Sequence, residues 1–199
     1  IGAINFEEEL ALLQHIRSHY SSKEIELRVD ANGAFSPTDA MEKLKRLSEL
    51  DLHSIEQPIR AGQWEEMARL TSESPLPIAL DEELIGYNTW EEKQRLLSAI
   101  RPQYIIIKPS LHGGLAGGEE WIAEAEKLNI GWWITSALES NVGLNAIAQW
   151  TATFQSFIPQ GLGTGQLYKN NIISPLVQKG STIQYDPSLS WDLSPLIWE

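Results

Sequence analysis

The strongest constraint in this chain is a period. Asp30, Glu56, Asp81, Lys108 and Ser136 each follow a short apolar run, and they stand 26, 25, 27 and 28 residues apart. Between them lie segments of helical spacing. Phe6–His19 reads as a helix, with Leu10, Leu13 and Ile16 on one face. Glu24–Asp30 reads as a strand. Ser36 opens the next helix as its N-cap, with Pro37 at the first helical position and Asp39 at the positive helix end; that helix runs to about Leu50. The unit then recurs. Strands are expected at Ser54–Glu56, Pro77–Asp81, Tyr104–Lys108, Gly131–Thr135 and, last and shortest, Gln160–Gly163. Helices are expected at Gln63–Ser72, Thr89–Ala99, Gly118–Leu128 and Asn141–Thr153.

An apolar strand followed by an amphipathic helix, several times over, predicts a parallel sheet with right-handed crossovers. A period this regular favours a (β/α) barrel over a doubly wound sheet. No GxGxxG follows the first strand and there is no Walker loop, which weakens a nucleotide-binding reading. A closed barrel has eight units in about 250 residues. Six strands can be counted here, so the expected fold is α/β, a TIM-like barrel that is incomplete. The repeat stops after Tyr168. Residues 1–168 are expected to form the partial barrel, and 169–199 an extended tail with a hairpin, whose Trp191 and Trp198 need a surface to pack against.

Composition narrows the function classes. The formal charge of -12 repels phosphate backbones and argues against nucleic acid as a partner. No apolar run reaches the roughly 18 residues that span a bilayer, so no membrane partner is expected. The first residues, IGAINFEEEL, have neither a basic n-region nor an apolar h-region, and without an initiating Met the start reads as a cut within a longer chain. The absence of Cys excludes disulfides and thiolate metal sites and fits a reducing, cytoplasmic setting.

The period also gathers chemistry. Parallel barrels place their sites at the C-terminal strand ends. Three consecutive ends are acidic: Asp30 in RVDANGAF, Glu56 in SIEQP and Asp81 in IALDEE. Strands lie about 4.8 Å apart, so three carboxylates on one rim repel one another without a cation. Mg²⁺ answers this, since it takes hard oxygen ligands and keeps positions open for water or substrate. The fourth end is Lys108 in IIIKPS, an odd place for a solvated charge. Asn32 is either a turn residue or an amide supporting Asp30. Glu82 and Glu83 are expected to be solvated or first-turn charges, with Glu82 also placed to hold Lys108. His112, in HGGLAGG, is expected to be a loop residue rather than a base.

DANGAF, EQP, DEE and KPS, in that order, resemble the enolase superfamily and, within it, the muconate-lactonizing subgroup. The resemblance covers residues 1 to about 175. It implies strands three to eight of the barrel, Mg²⁺ (with Mn²⁺ as an alternative) bound by Asp30, Glu56 and Asp81, and Lys108 facing a small carboxylate substrate from the opposite side. TSALESNVGL at Thr135–Leu144 and GLGTG at Gly161–Gly165 are similar to the o-succinylbenzoate synthase family of that subgroup. By position they imply substrate contacts at Ser136, Gly161 and Gly163. Dipeptide epimerases and muconate cycloisomerases commonly carry an aspartate-rich motif on the final strand, which is absent here, although epimerase, N-acylamino-acid racemase and cycloisomerase activities remain alternatives. The family also carries a Lys-x-Lys pair at the end of the second strand, whereas no lysine precedes Lys23 in this chain. That gap raises a second class, a non-catalytic barrel module. It also implies that an N-terminal segment, or a second copy of the chain, covers the open barrel edges, and that a capping domain covers the tail.

Overall fold

The computed structural model describes residues 1–156, 158–163 and 167–195. Five short parallel strands form one sheet: β1 (Arg28–Asp30), β2 (Ser54–Glu56), β3 (Ile78–Leu80), β4 (Tyr104–Ile107) and β5 (Gly131–Ile134), in the order β1-β2-β3-β4-β5. Six helices accompany them: α1 (Phe6–His19), α2 (Ala40–Ser48), α3 (Trp64–Glu73), α4 (Trp90–Ile100), α5 (Gly114–Lys127) and α6 (Asn141–Thr151). Two further strands, β6 (Leu176–Lys179) and β7 (Thr182–Tyr185), pair as an antiparallel hairpin. The architecture is therefore α/β, with five of the eight strands of a closed barrel.

The chain divides into two compact units, Ile1–Ile106 with Glu119–Trp132 and Ile107–Gly118 with Trp133–Glu199. In the first, the sheet is buried on both faces: Ile55, Ile78, Ala79, Leu80, Ile105 and Ile106 are all inaccessible to solvent. This is why these strands read as continuous apolar runs rather than alternating ones. Leu44 and Leu47 of α2, Met67 and Leu70 of α3, and Leu96 and Leu97 of α4 are likewise fully buried. Gly131 opens β5 against the Tyr104 ring, where a β-carbon would sit 2.5 Å from Cδ1. In the second unit, Gly118 lies so close to Trp150 that a β-carbon would come within 2.8 Å of the indole.

Several boundaries differ from the sequence expectations. β1 is three residues long, because Ile25–Leu27 precede the paired stretch; the ladder begins at Arg28↔Ser54. Ser36 opens a turn rather than capping the helix directly. Its carbonyl accepts from Ala40 N–H at 2.9 Å, and the regular helix starts at Ala40 with Asp39 at the N-cap and no side-chain cap. Thr89 does form a capping box with Glu92 at the start of α4. α5 begins at Gly114, four residues earlier than expected, because the glycine run continues into the helix. The sixth strand is not a strand. Gly161 makes a single parallel bridge to Thr135, its N–H donating to Ile134 O at 2.8 Å. Gly-Leu-Gly offers little side chain to extend a ladder. Thr164 and Gly165 of that motif, and Trp198, lie outside the described residues.

Candidate active site

The parallel register puts the three acids at one end of adjacent strands. Asp30 is the direct partner of Glu56, and Glu56 pairs with Ala79, two residues before Asp81. Asp81 is buried at 1% exposure, while Asp30 and Glu56 are half-buried. Asn32 resolves its two alternatives by serving as both. It takes a left-handed φ of 46°, and its backbone and side-chain N–H groups donate to the two oxygens of Asp30 at 2.8 and 2.7 Å. Gly33 follows at φ 70°, where a β-carbon would meet Arg60 Cα at 2.9 Å, so the turn requires glycine.

The donor set is all carboxylate oxygen, which suits a hard divalent cation. The rotamers are not closed around one point, however. Among the described residues no group of three or more His, Cys, Asp or Glu side chains is gathered closely enough to hold an ion.

Of its two expected states, Glu83 takes the first-turn position and not the solvated one. It is 1% exposed, and its carboxylate accepts from Gly62 N–H at 2.7 Å and from Gln57 Nε2 at 3.1 Å. The short 3-10 turn Glu82–Leu84 directs it inward, leaving Glu82 half-buried. Gln57 was not singled out by sequence reasoning. Its marks in the sequence are its place between a rim acid and a proline and its membership of the EQP motif.

In the second unit, Lys108 follows β4 and is half-buried at the start of a 3-10 turn, Pro109–Leu111. His112 lies in the turn between this element and α5, as expected, but it is buried there. It is 2% exposed, and its Nδ1 accepts from Lys108 N–H at 3.0 Å, which shapes the turn that presents the lysine. Ser136 is buried at 5% just after β5. Its neighbour Thr135 bonds Gly161 O at 2.6 Å, and a β-carbon on Gly161 would fall 2.6 Å from Thr135 Oγ1. Gly161 is thus packed against Thr135, the residue before Ser136. Gly163 lines a cleft of about 60 Å³ together with Asn141, Leu144 and Ile183. Glu139, passed over in the sequence, accepts from Ser110 Oγ at 2.5 Å.

Parallel strands alternating with helices define a (β/α)-barrel type protein, a fold that places its chemistry at the C-terminal strand ends. The chain belongs to the enolase C-terminal domain-like family, which it matches over residues 1–185. It is 61% identical over 183 residues to the o-succinylbenzoate synthase of Desulfotalea psychrophila, covering 92% of this chain and 50% of that protein. The crystal structure of MenC from the same organism superposes with a TM-score of 0.87 at 60% identity, covering 89% of this chain and 50% of that one. A muconate lactonizing enzyme from Pseudomonas fluorescens, complexed with muconolactone, superposes with a TM-score of 0.85 at 26% identity, over 96% of this chain and 52% of that one. The chain spans about half the length of the curated relatives it matches.

Proposed function

We propose that this chain carries the cation-binding half of an Mg²⁺-dependent cytoplasmic lyase that dehydrates 2-succinyl-6-hydroxy-2,4-cyclohexadiene-1-carboxylate to o-succinylbenzoate, a step of menaquinone synthesis. The observation that carries this reading is the placement of Asp30, Glu56 and Asp81 on adjacent strand ends, in a chain 61% identical to a protein of that name. Loss of a proton next to a carboxylate is slow because negative charge builds on a group that already has one. Asp30, Glu56 and Asp81 would hold the ion, and an ion bound there stabilises that charge as it forms. Lys108 supplies a second positive charge, on the turn braced by His112. Ser136, Gly161 and Gly163 are assigned to the succinyl arm. Proton transfer on the other face falls to the family's Lys-x-Lys pair, and no lysine precedes Lys23 here.

The test is turnover of the cyclohexadiene substrate by the full-length protein, with Mg²⁺ and with a chelator. Dehydration that stops on chelation is expected. Dehydration indifferent to chelation would remove the metal reading, and racemisation of N-succinylamino acids without dehydration would reassign the substrate.

A further inference from the structure

Gln57 is the most constrained residue on the acid rim. It follows Glu56 directly, is 1% exposed, and holds a left-handed φ of 37°. A long side chain rarely adopts that backbone unless its surroundings over-determine it. Here they do. Its N–H donates to Ala79 O at 2.9 Å, and its carbonyl accepts from Gly33 N–H at 2.7 Å. Its side-chain oxygen accepts from Asp81 N–H at 3.2 Å and from Glu83 N–H at 3.3 Å. Its side-chain amide donates to Ile59 O at 3.0 Å and to Glu83 Oε2 at 3.1 Å. Every donor and acceptor of the amide is used.

These bonds reach three turns. Gly33 belongs to the turn in which Asn32 grips Asp30. Gln57 itself adjoins Glu56. Asp81 and Glu83 belong to the turn after β3. Glu83, tied in addition to Gly62, keeps the amide from rotating. A fully satisfied buried network of this kind rigidifies what it connects.

We propose that Gln57, with Glu83 as its buried partner, is the positioning residue of the acid rim: it sets the spacing of the turns that carry Asp30, Glu56 and Asp81, and thereby the affinity of the rim for a divalent cation. This rests on the reading of the three acids as cation ligands. Neither Gln57 nor Glu83 touches the ion; both act through their neighbours, as residues that orient metal ligands do.

The probe is Mn²⁺ alone, titrated into the full chain and followed by the paramagnetic signal of the free ion. Gln57→Leu, which keeps much of the volume and loses all four side-chain bonds, should weaken Mn²⁺ binding about 10–100-fold. Glu83→Ala should do the same. Glu83→Gln should lose less than Glu83→Ala, because its amide oxygen can still accept from Gly62 N–H. A bridge that merely stabilised the fold would lower the thermal midpoint and leave the dissociation constant, measured well below it, unchanged. Wild-type Mn²⁺ affinity in folded Gln57→Leu overturns the proposal. Should that variant not fold, wild-type affinity in Glu83→Ala overturns it equally. Glu56→Gln and Asp81→Asn separate the two readings. If they lose the ion while the Gln57 and Glu83 variants keep it, only the positioning role fails. If they too bind Mn²⁺ as wild type does, the cation site itself is refuted.

Discussion

At the scale of single residues, the rim is organised by amides as much as by charges. Asp30 does not stand free in solvent: Asn32 donates one N–H to each of its oxygens, which leaves each oxygen a lone pair for an ion. Asn32→Ala is therefore expected to free the Asp30 rotamer and to remove its left-handed turn preference at once, weakening Mn²⁺ binding rather than strengthening it. A tighter ion in that variant would show the grip to be inhibitory. Lys108 gives the sharper test of chemistry. Lys108→Ala in the full-length enzyme should lower turnover by roughly 10²–10³-fold, the usual scale for losing one electrostatic stabiliser, and leave the unfolding curve unchanged. Near-normal turnover would end its assigned role. His112→Ala should give a smaller loss together with a lower thermal midpoint, because its Nδ1 braces the Lys108 turn from a buried position.

At the scale of elements, the start of α1 carries a carboxylate held by backbone. Glu9, 6% exposed, accepts from Gly2, Ala3 and Ile4 N–H at 2.7, 3.0 and 3.2 Å. Burial alone would raise its pKa, but the three N–H bonds together win, and it lies below the ordinary 4.5. A carboxylate depressed on folding stabilises the fold above its unfolded pKa and loses that contribution as pH falls through the folded value. The thermal midpoint should therefore fall as pH drops below about 4.5, and Glu9→Gln should flatten part of that slope. Only part, because Asp39 and Glu92 are shifted the same way, by Lys43 and by the Thr89 backbone respectively. An unchanged slope in Glu9→Gln would mean the carboxylate is protonated or its bonds are not made. At β5, Gly131→Ala would push a methyl into the Tyr104 ring and should cost about 1–3 kcal/mol in urea unfolding.

At the scale of the whole molecule, β1 and β5 bound the five-stranded sheet of the described residues, and unpaired edges on core-type strands invite pairing. We expect the 199-residue chain by itself to associate in solution, which size-exclusion chromatography at several concentrations would show, and to lack measurable synthase turnover. General acid–base help is typically worth about 10²–10⁴-fold, and no lysine precedes Lys23 to give it on the second face. Turnover by the isolated chain near that of a full-length relative would place the acid/base within these residues. Among the described residues no helix is long and apolar enough to cross a membrane.

The strand–helix period, the strand ends and the order of Asp30, Glu56, Asp81 and Lys108 were legible because they follow from local periodicity: fully buried strands read as apolar runs, and each acid or lysine closes one. α1 could be delimited to the residue for the same reason. What tertiary structure alone decided is non-local. Glu83 looks like any first-turn acid until Gly62 and Gln57, 21 and 26 residues away, are brought onto it. Gln57 has no periodic signal at all, since its role depends on three turns separated in sequence. The last strand shrank to one bridge at Gly161 because pairing is settled by what a neighbouring backbone can reach, and a short glycine-flanked segment carries too little side chain to announce it.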